Sequence, residues 1–193
     1  MFTPQAQIGL ENTEVRLCCT DHLPPGVKYT SLSHCWGMKP CLRLTSKTLS
    51  AFEKDIPVSE LSNTFRDPIT ITKQLGARYL WIDSLCIIQD SLLDWQRESA
   101  KMRSVYANSF LNIAATGSVD GEGGCFKKSN SLLVRPCKID AAWTGSYGPL
   151  SGAYDCVPAS IWNQYIENSP LCKRAWVLQE RFLAPRTIHF GAT

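Results

Sequence analysis

The chain has 193 residues, 44% of them hydrophobic and 19% charged, with twenty Lys and Arg against seventeen Asp and Glu and a formal charge of +3. That length suits one domain with a sizeable core, and the composition excludes wholesale disorder. The positive balance is small and scattered, with no Lys/Arg run longer than two, so it excludes a nucleic-acid footprint.

The first predicted element is a strand over Val27–Ser33 that enters the loop His34-Cys35-Trp36-Gly37. A helix is predicted over Thr64–Leu75, with Phe65, Ile69, Ile71 and Leu75 as its apolar positions. Pro68 leaves its start open between an Asp67 cap, with Pro68 at the first helical position, and an earlier Thr64 cap. Gly76 is its stop. The next strand, Arg78–Ile82, is an apolar run that ends abruptly in Asp83. A buried parallel strand delivers an acid in this way to the carboxyl edge of a sheet, where α/β proteins place their ligand sites.

Ser91 and Asp94 form a capping-box-like start to a helix in which Trp95, Met102, Val105 and Tyr106 recur at helical spacing. Phe110–Ala115 is the third strand. Residues 116–170 are irregular and too long for a structureless connection, which predicts small elements of their own or a functional flap. Lys173–Phe182 is the last predicted helix and Arg186–Phe190 the fourth strand. Such alternation predicts an α/β fold with a mainly parallel sheet flanked by helices on both faces. One domain spans 1–193, its core runs over about 27–191, and 116–170 is an insertion before the last helix.

Nine cysteines, an odd number, contain no Cys-x-x-Cys spacing, and several sit inside apolar runs. At least half are expected as buried free thiols, with no zinc site and no other metal. Met1–Leu10 shows no signal-peptide pattern and the chain no long apolar span, so the expected home is a reducing cytoplasm, without a membrane span.

Three segments carry a resemblance: Tyr29-Thr-Ser-Leu-Ser-His-Cys-Trp-Gly37, Leu80-Trp-Ile-Asp-Ser-Leu-Cys-Ile-Ile-Gln-Asp90 and Arg174-Ala-Trp-Val-Leu-Gln-Glu-Arg181. They resemble the signature blocks of the fungal heterokaryon incompatibility (HET) domain. Trp95-Gln-Arg-Glu98, Met102, Val105-Tyr-Ala-Asn108 and Arg186-Thr-Ile-His-Phe-Gly191 fit the same pattern. The resemblance implies a non-self recognition effector that triggers death of fused fungal cells, joined in a longer protein to a sensor or oligomerising region. HET domains are in turn similar to Toll/interleukin-1 receptor (TIR) domains, which implies a flavodoxin-like three-layer architecture. Trp176-x-x-x-Glu180 matches the spacing around the catalytic glutamate of TIR enzymes that cleave NAD.

That second resemblance gives Glu180 a role: a carboxylate beside an indole would stabilise an oxocarbenium-like ribose as nicotinamide leaves. At helical spacing Trp176 and Glu180 share a face. The bland reading pairs Glu180 with Arg174, Arg181 or Arg186. Asp83 is the second candidate carboxylate, with capping of the next turn as its bland reading. Ser33, His34 and Trp36 should face the same edge, with Ser33 as a polar positioning group and Trp36 or Trp176 as a stacking surface. His34 is a candidate base or a satisfied structural group.

Trp81 and Trp95 read as core. Glu98 rivals Glu180, although Arg97 and Lys101 suggest a solvated helix face. Cys86 with His34 and Asp83 would make a thiol-hydrolase triad if the fold brought them together. Gly121-Glu-Gly-Gly124 is too loose for a phosphate loop. The implied substrate is NAD, with no cofactor required. The implied partners are a second copy or the sensor region.

Overall fold

Alternating apolar residues on either side of residues 12 and 13 make a hairpin ahead of the first predicted strand. β1 (Ala6–Glu11) and β2 (Glu14–Cys19) pair antiparallel, Ile8 opposite Leu17 and Leu10 opposite Val15, and all four side chains are buried. The computed structural model describes residues 6–11, 14–20, 23, 26–39, 41–127, 136–145, 148–157, 159–160 and 162–191. Residues 1–5, 192–193 and parts of the expected insertion (128–135, 146, 147, 158 and 161) lie outside the described residues.

β1 also pairs antiparallel with β4 (Tyr79–Trp81), which begins the parallel part of the sheet. β3 (Tyr29–Ser33) lies between β4 and β5 (Leu111–Ala114), parallel to both, and β8 (Thr187–His189) closes the far edge parallel to β5. The order is β2-β1-β4-β3-β5-β8, so the sheet is mainly parallel with an antiparallel hairpin on one side.

Every residue of β3 is buried, as expected of a strand covered on both faces. Its alternating side chains show what covers it. Tyr29 donates its hydroxyl to Val105 O at 2.6 Å on α4 (Leu92–Asn108). Thr30 meets Thr72 on α2 (Asn63–Gln74), the two hydroxyl oxygens 2.6 Å apart. The helices therefore lie on opposite faces, and the protein is built in three layers. Trp81 and Tyr106 pack edge to face on the α4 side with centroids 5.7 Å apart.

The start of α2 corrects both expected caps, Asp67 and Thr64, which lie inside the helix. The helix begins at Asn63 after Ser62 and carries Pro68 in its interior. Pro68 has no N–H to give to the Thr64 carbonyl, a loss the first turn offsets through the loop over residues 120–126. Thr64 N–H donates to Gly121 O at 2.9 Å, and its hydroxyl donates to Asp120 O at 2.9 Å. Asp67, freed from capping, accepts the backbone N–H groups of Cys125 at 2.6 Å and Phe126 at 3.1 Å. Gly124 sits at φ 64°, where a Cβ would meet Asp67 Oδ2 at 2.5 Å. At the other end Gly76, at φ 70°, stops the helix as expected: Ala77 N–H reaches Thr72 O and Gly76 N–H reaches Lys73 O.

The region 116–170 does contain its own elements. β6 (Cys137–Gly145) and β7 (Gly148–Cys156) form an antiparallel hairpin outside the main sheet, and short helical turns cover Asn163–Glu167 and Leu171–Lys173. α5 (Val177–Leu183) starts four residues later than the helix expected from Lys173, because Arg174 is extended and Trp176 holds the N-cap position. Three cysteines are buried (Cys35, Cys86 and Cys125), fewer than half of the nine; Cys19, Cys137 and Cys156 lie on exposed faces. Among the described residues no helix is long and apolar enough to cross a membrane.

Candidate functional site

Three segments meet at the carboxyl edge of β3 and β4. The apolar strand β4 ends at Trp81, and after Ile82 α3 (Asp83–Cys86) begins, which fixes Asp83 at the turn between them. Asp83 Oδ1 accepts the N–H of Ser84 at 2.7 Å, so it organises that turn, and Oδ2 accepts Trp36 Nε1 at 3.0 Å. Trp36 follows β3 and carries the Arg43 guanidinium 5.0 Å above its ring. Gln89 Nε2 donates to the carbonyls of Asp83 and Ile87 at 3.1 and 2.9 Å, tying the loop after α3 to the same corner.

The third segment reaches this edge through a small apolar cluster. Leu171 and Val177 bury themselves against Cys35 and Ala114 at the ends of β3 and β5. This pins the stretch between them over the sheet, and Arg174 projects from it. Arg174 Nη1 donates to the His34 carbonyl and lies 3.6 Å from Glu180 Oε1, while Nη2 is 3.9 Å from Asp83 Oδ2. One guanidinium thus faces two carboxylates from different elements.

Around these groups lies a cleft of about 240 Å³, with Trp36, Trp95 and Trp176 as walls and Asp83, Gln89 and Arg174 as polar groups. Three indoles beside one carboxylate and one guanidinium suit a ligand that has a planar ring and separate cationic and anionic parts.

Of the residues singled out from sequence, Asp83, Trp36 and Trp176 line this cleft. Ser33, His34 and Glu180 are buried and do not line it. Glu180 is 1% exposed whereas Trp176 is 45% exposed, so the shared helix face expected for them does not form; Trp176 caps α5 and turns outward. Glu180 Oε2 has no hydrogen-bond partner among the described residues. Burial raises the Glu180 pKa; Arg174 and the Ser33 hydroxyl oppose that rise, and Asp83 adds to it.

His34 packs edge-on against Phe65, with centroids 5.1 Å apart, and neither ring nitrogen has a hydrogen-bond partner among the described residues. Its Nδ1 is 3.9 Å from Asp83 Oδ1. Burial lowers its pKa, Asp83 works against this and Arg174 with it, which keeps the ring neutral. Ser33 shares a buried network with Ser31 and Asn112 on β5, whose amide donates to Ser33 Oγ at 3.0 Å.

The rival groups sit elsewhere. Glu98 is 3% exposed, not on a solvated face as expected, because Arg97 and Lys101 fold over it at 3.5 and 3.0 Å. It lines a second, separate cleft of about 180 Å³ with Asp94, Leu17 and Leu44. Cys86 borders that second cleft too, and burial pushes its thiol up to about 12, the opposite of what a nucleophile needs. Trp95, expected in the core, is 47% exposed and forms a cleft wall. In the sequence Arg174 stands out as a signature-block residue and as a partner for Glu180; its place between two carboxylates depends on its extended backbone before α5, which helical spacing does not reveal. Among the described residues no group of three or more His, Cys, Asp or Glu converges to hold a metal ion.

No curated protein and no solved structure matches the chain. The family model described as heterokaryon incompatibility protein (HET) matches residues 29–180, which run from the first residue of β3 through Trp36, Asp83 and Arg174 to Glu180. With the parallel strands β3, β4 and β5 and every wall of the cleft inside that match, the chain belongs to the heterokaryon incompatibility family.

Proposed function

We propose that this domain is a cell-death effector of heterokaryon incompatibility that, when clustered, hydrolyses NAD at the nicotinamide N-glycosidic bond. The observation that carries the reading is the composition of the cleft: indoles from Trp36, Trp95 and Trp176 beside Asp83 and Arg174, at the carboxyl edge of a parallel sheet. NAD joins a planar cationic ring to a pyrophosphate; the ring suits the indoles and Asp83, the pyrophosphate suits Arg174 and Arg43. A volume of about 240 Å³ is below the roughly 300–1,000 Å³ typical of drug-sized ligands. The cleft would therefore take the nicotinamide riboside end and leave the adenosine outside.

In the reaction the C1′–N bond breaks, its electron pair leaves with neutral nicotinamide, and water adds to the ribosyl cation and gives up a proton. Glu180 and Asp83 supply the negative charge that stabilises this cation, Ser33 positions Glu180, and no metal or redox cofactor takes part. The parallel strands in the order β4-β3-β5-β8 follow the flavodoxin-like sequence 2-1-3-4, which supports a TIR-like architecture. The protein would act in the cytoplasm, where NAD is available, through self-association or a sensor region.

A non-enzymatic assembly module is the alternative, favoured by Leu178 and Phe182, which stand 62% and 73% exposed one turn apart on α5. Incubation of purified protein with NAD, with and without induced clustering, separates the two. Nicotinamide release on clustering supports hydrolysis, whereas killing by clustered protein that leaves NAD intact supports assembly alone.

A further inference from the structure

Glu180 is a buried acid with Oε2 unpartnered among the described residues, and one side chain that lines the cleft lies 3.6 Å from its Oε1. That side chain is Arg174, 24% exposed, held by Glu180 on α5, by Asp83 after β4 and by the His34 carbonyl after β3. Its contacts to the two carboxylates are loose. At 3.6 and 3.9 Å they exceed the roughly 2.7–2.9 Å of a good charge-assisted N–H···O bond. Two acids share this guanidinium while His34 stays neutral, so neither carboxylate is fully matched. The backbone at Arg174 is extended between the Leu171–Lys173 turn and α5, and Arg174 lines the cleft together with Trp36 and Trp176.

We infer that Arg174 is an anion-operated latch: a phosphate-class anion entering the cleft captures its guanidinium in bidentate fashion, draws it off Glu180 and uncovers that carboxylate. The inference rests on the reading of the cleft as a nucleotide site and supplies what that reading lacks, a route by which buried Glu180 meets the ribose. A phosphate offers the planar fork two close acceptors in place of two distant ones. Arg43, stacked on Trp36, brings a second cation to the rim. A dinucleotide carries an anion for Arg174 and a cationic ring for the carboxylate it leaves behind; a phosphate-free riboside carries only the ring. The latch therefore also selects for phosphate-bearing substrates.

The test is carbodiimide labelling of carboxyl groups read by mass spectrometry, with inorganic pyrophosphate as the probe and the exposed Glu60 as internal standard. In wild-type protein Glu180 should label weakly alone and at least severalfold more at saturating pyrophosphate, with Glu60 unchanged. Arg174→Gln should label at Glu180 without pyrophosphate. It should also bind pyrophosphate on the order of 10- to 100-fold more weakly by indole fluorescence, as expected for the loss of charge-assisted bonds. Should that variant not fold, Arg174→Gln/Glu180→Gln leaves no charge stranded and should show the same loss of affinity. Failure of wild-type protein to bind pyrophosphate, Glu180 protected at saturation, or wild-type affinity in the variants overturns the latch. Nicotinamide release plays no part in this readout, so pyrophosphate-dependent labelling in a protein that leaves NAD intact would refute hydrolysis and keep the latch.

Discussion

Glu180→Gln removes a charge and keeps the shape. Breaking a fully buried ion pair costs about 3–5 kcal/mol because the surviving charge is stranded. Here the survivor, Arg174, is 24% exposed and retains Asp83 and the His34 carbonyl, so most of that penalty disappears. On the other side, glutamine escapes the desolvation that dominates the raised Glu180 pKa. Unfolding free energy at neutral pH should therefore change by less than about 1 kcal/mol, a Tm shift under roughly 4 °C for a chain of this size. If Glu180 acts on the ribosyl cation, NAD turnover should fall on the order of 100- to 1000-fold.

The pH dependence has a definite sign. Folded Glu180 takes up its proton at a higher pH than the unfolded residue, whose pKa is about 4.3. Between those two values the native state holds the extra proton, and stability falls as pH rises through the window. The variant lacks this loss, so its stability relative to wild type should improve as pH rises above about 4.3. His34, with its lowered pKa, makes both proteins less stable as pH falls through about 6.5, and it cancels in the difference. Urea melts of the pair at several pH values, alongside turnover, decide the matter. A loss above about 3 kcal/mol with activity tracking the folded fraction would refute this reasoning and make the Glu180–Arg174 pair a structural brace.

Three further outcomes follow from burial and bonding. Trp81→Ala should cost about 3–5 kcal/mol in a denaturant melt, since the indole is 1% exposed and packs on Tyr106. Cys86 and Cys125, both raised to about 12, should resist iodoacetamide at pH 8 in the native state while Cys137 and Cys156 react, as peptide mapping would show. Asp67→Ala should release the loop over 120–126, seen as faster hydrogen exchange at the amides of Cys125 and Phe126, at a cost of about 1–3 kcal/mol for the two bonds lost.

The parallel core was legible because its signals are local. An apolar run ending in Asp83, a Ser91 cap with Asp94 and a Gly76 stop each act within a few residues, and each stands where expected. The hairpin β1–β2, which lies outside the predicted elements, is equally legible in the alternation of Ile8, Leu10, Val15 and Leu17. Other features were not local. Asp67 left the helix cap because loop amides nearly sixty residues away bind it, and the interior Pro68 is tolerated because the same loop completes the first turn. Trp95 and Glu98 exchanged their expected environments because α4 presents Trp95 to the cleft while Arg97 and Lys101 cover Glu98. The site was half legible: Asp83, Trp36 and Trp176 stand in the cleft, whereas the centrality of Arg174 arises only where β3, β4 and α5 meet.

On the proposed function, the cleft between Trp36, Asp83 and Arg174 receives the nicotinamide end of NAD. A crystal structure of the clustered protein with a non-cleavable carbocyclic NAD analogue tests it most directly. The nicotinamide ring should lie against the indoles of Trp36 and Trp176, with the pyrophosphate on Arg174 and Glu180 open to the ribose. An analogue bound elsewhere, with the cleft occupied by solvent and Arg174 still on Glu180, would contradict it.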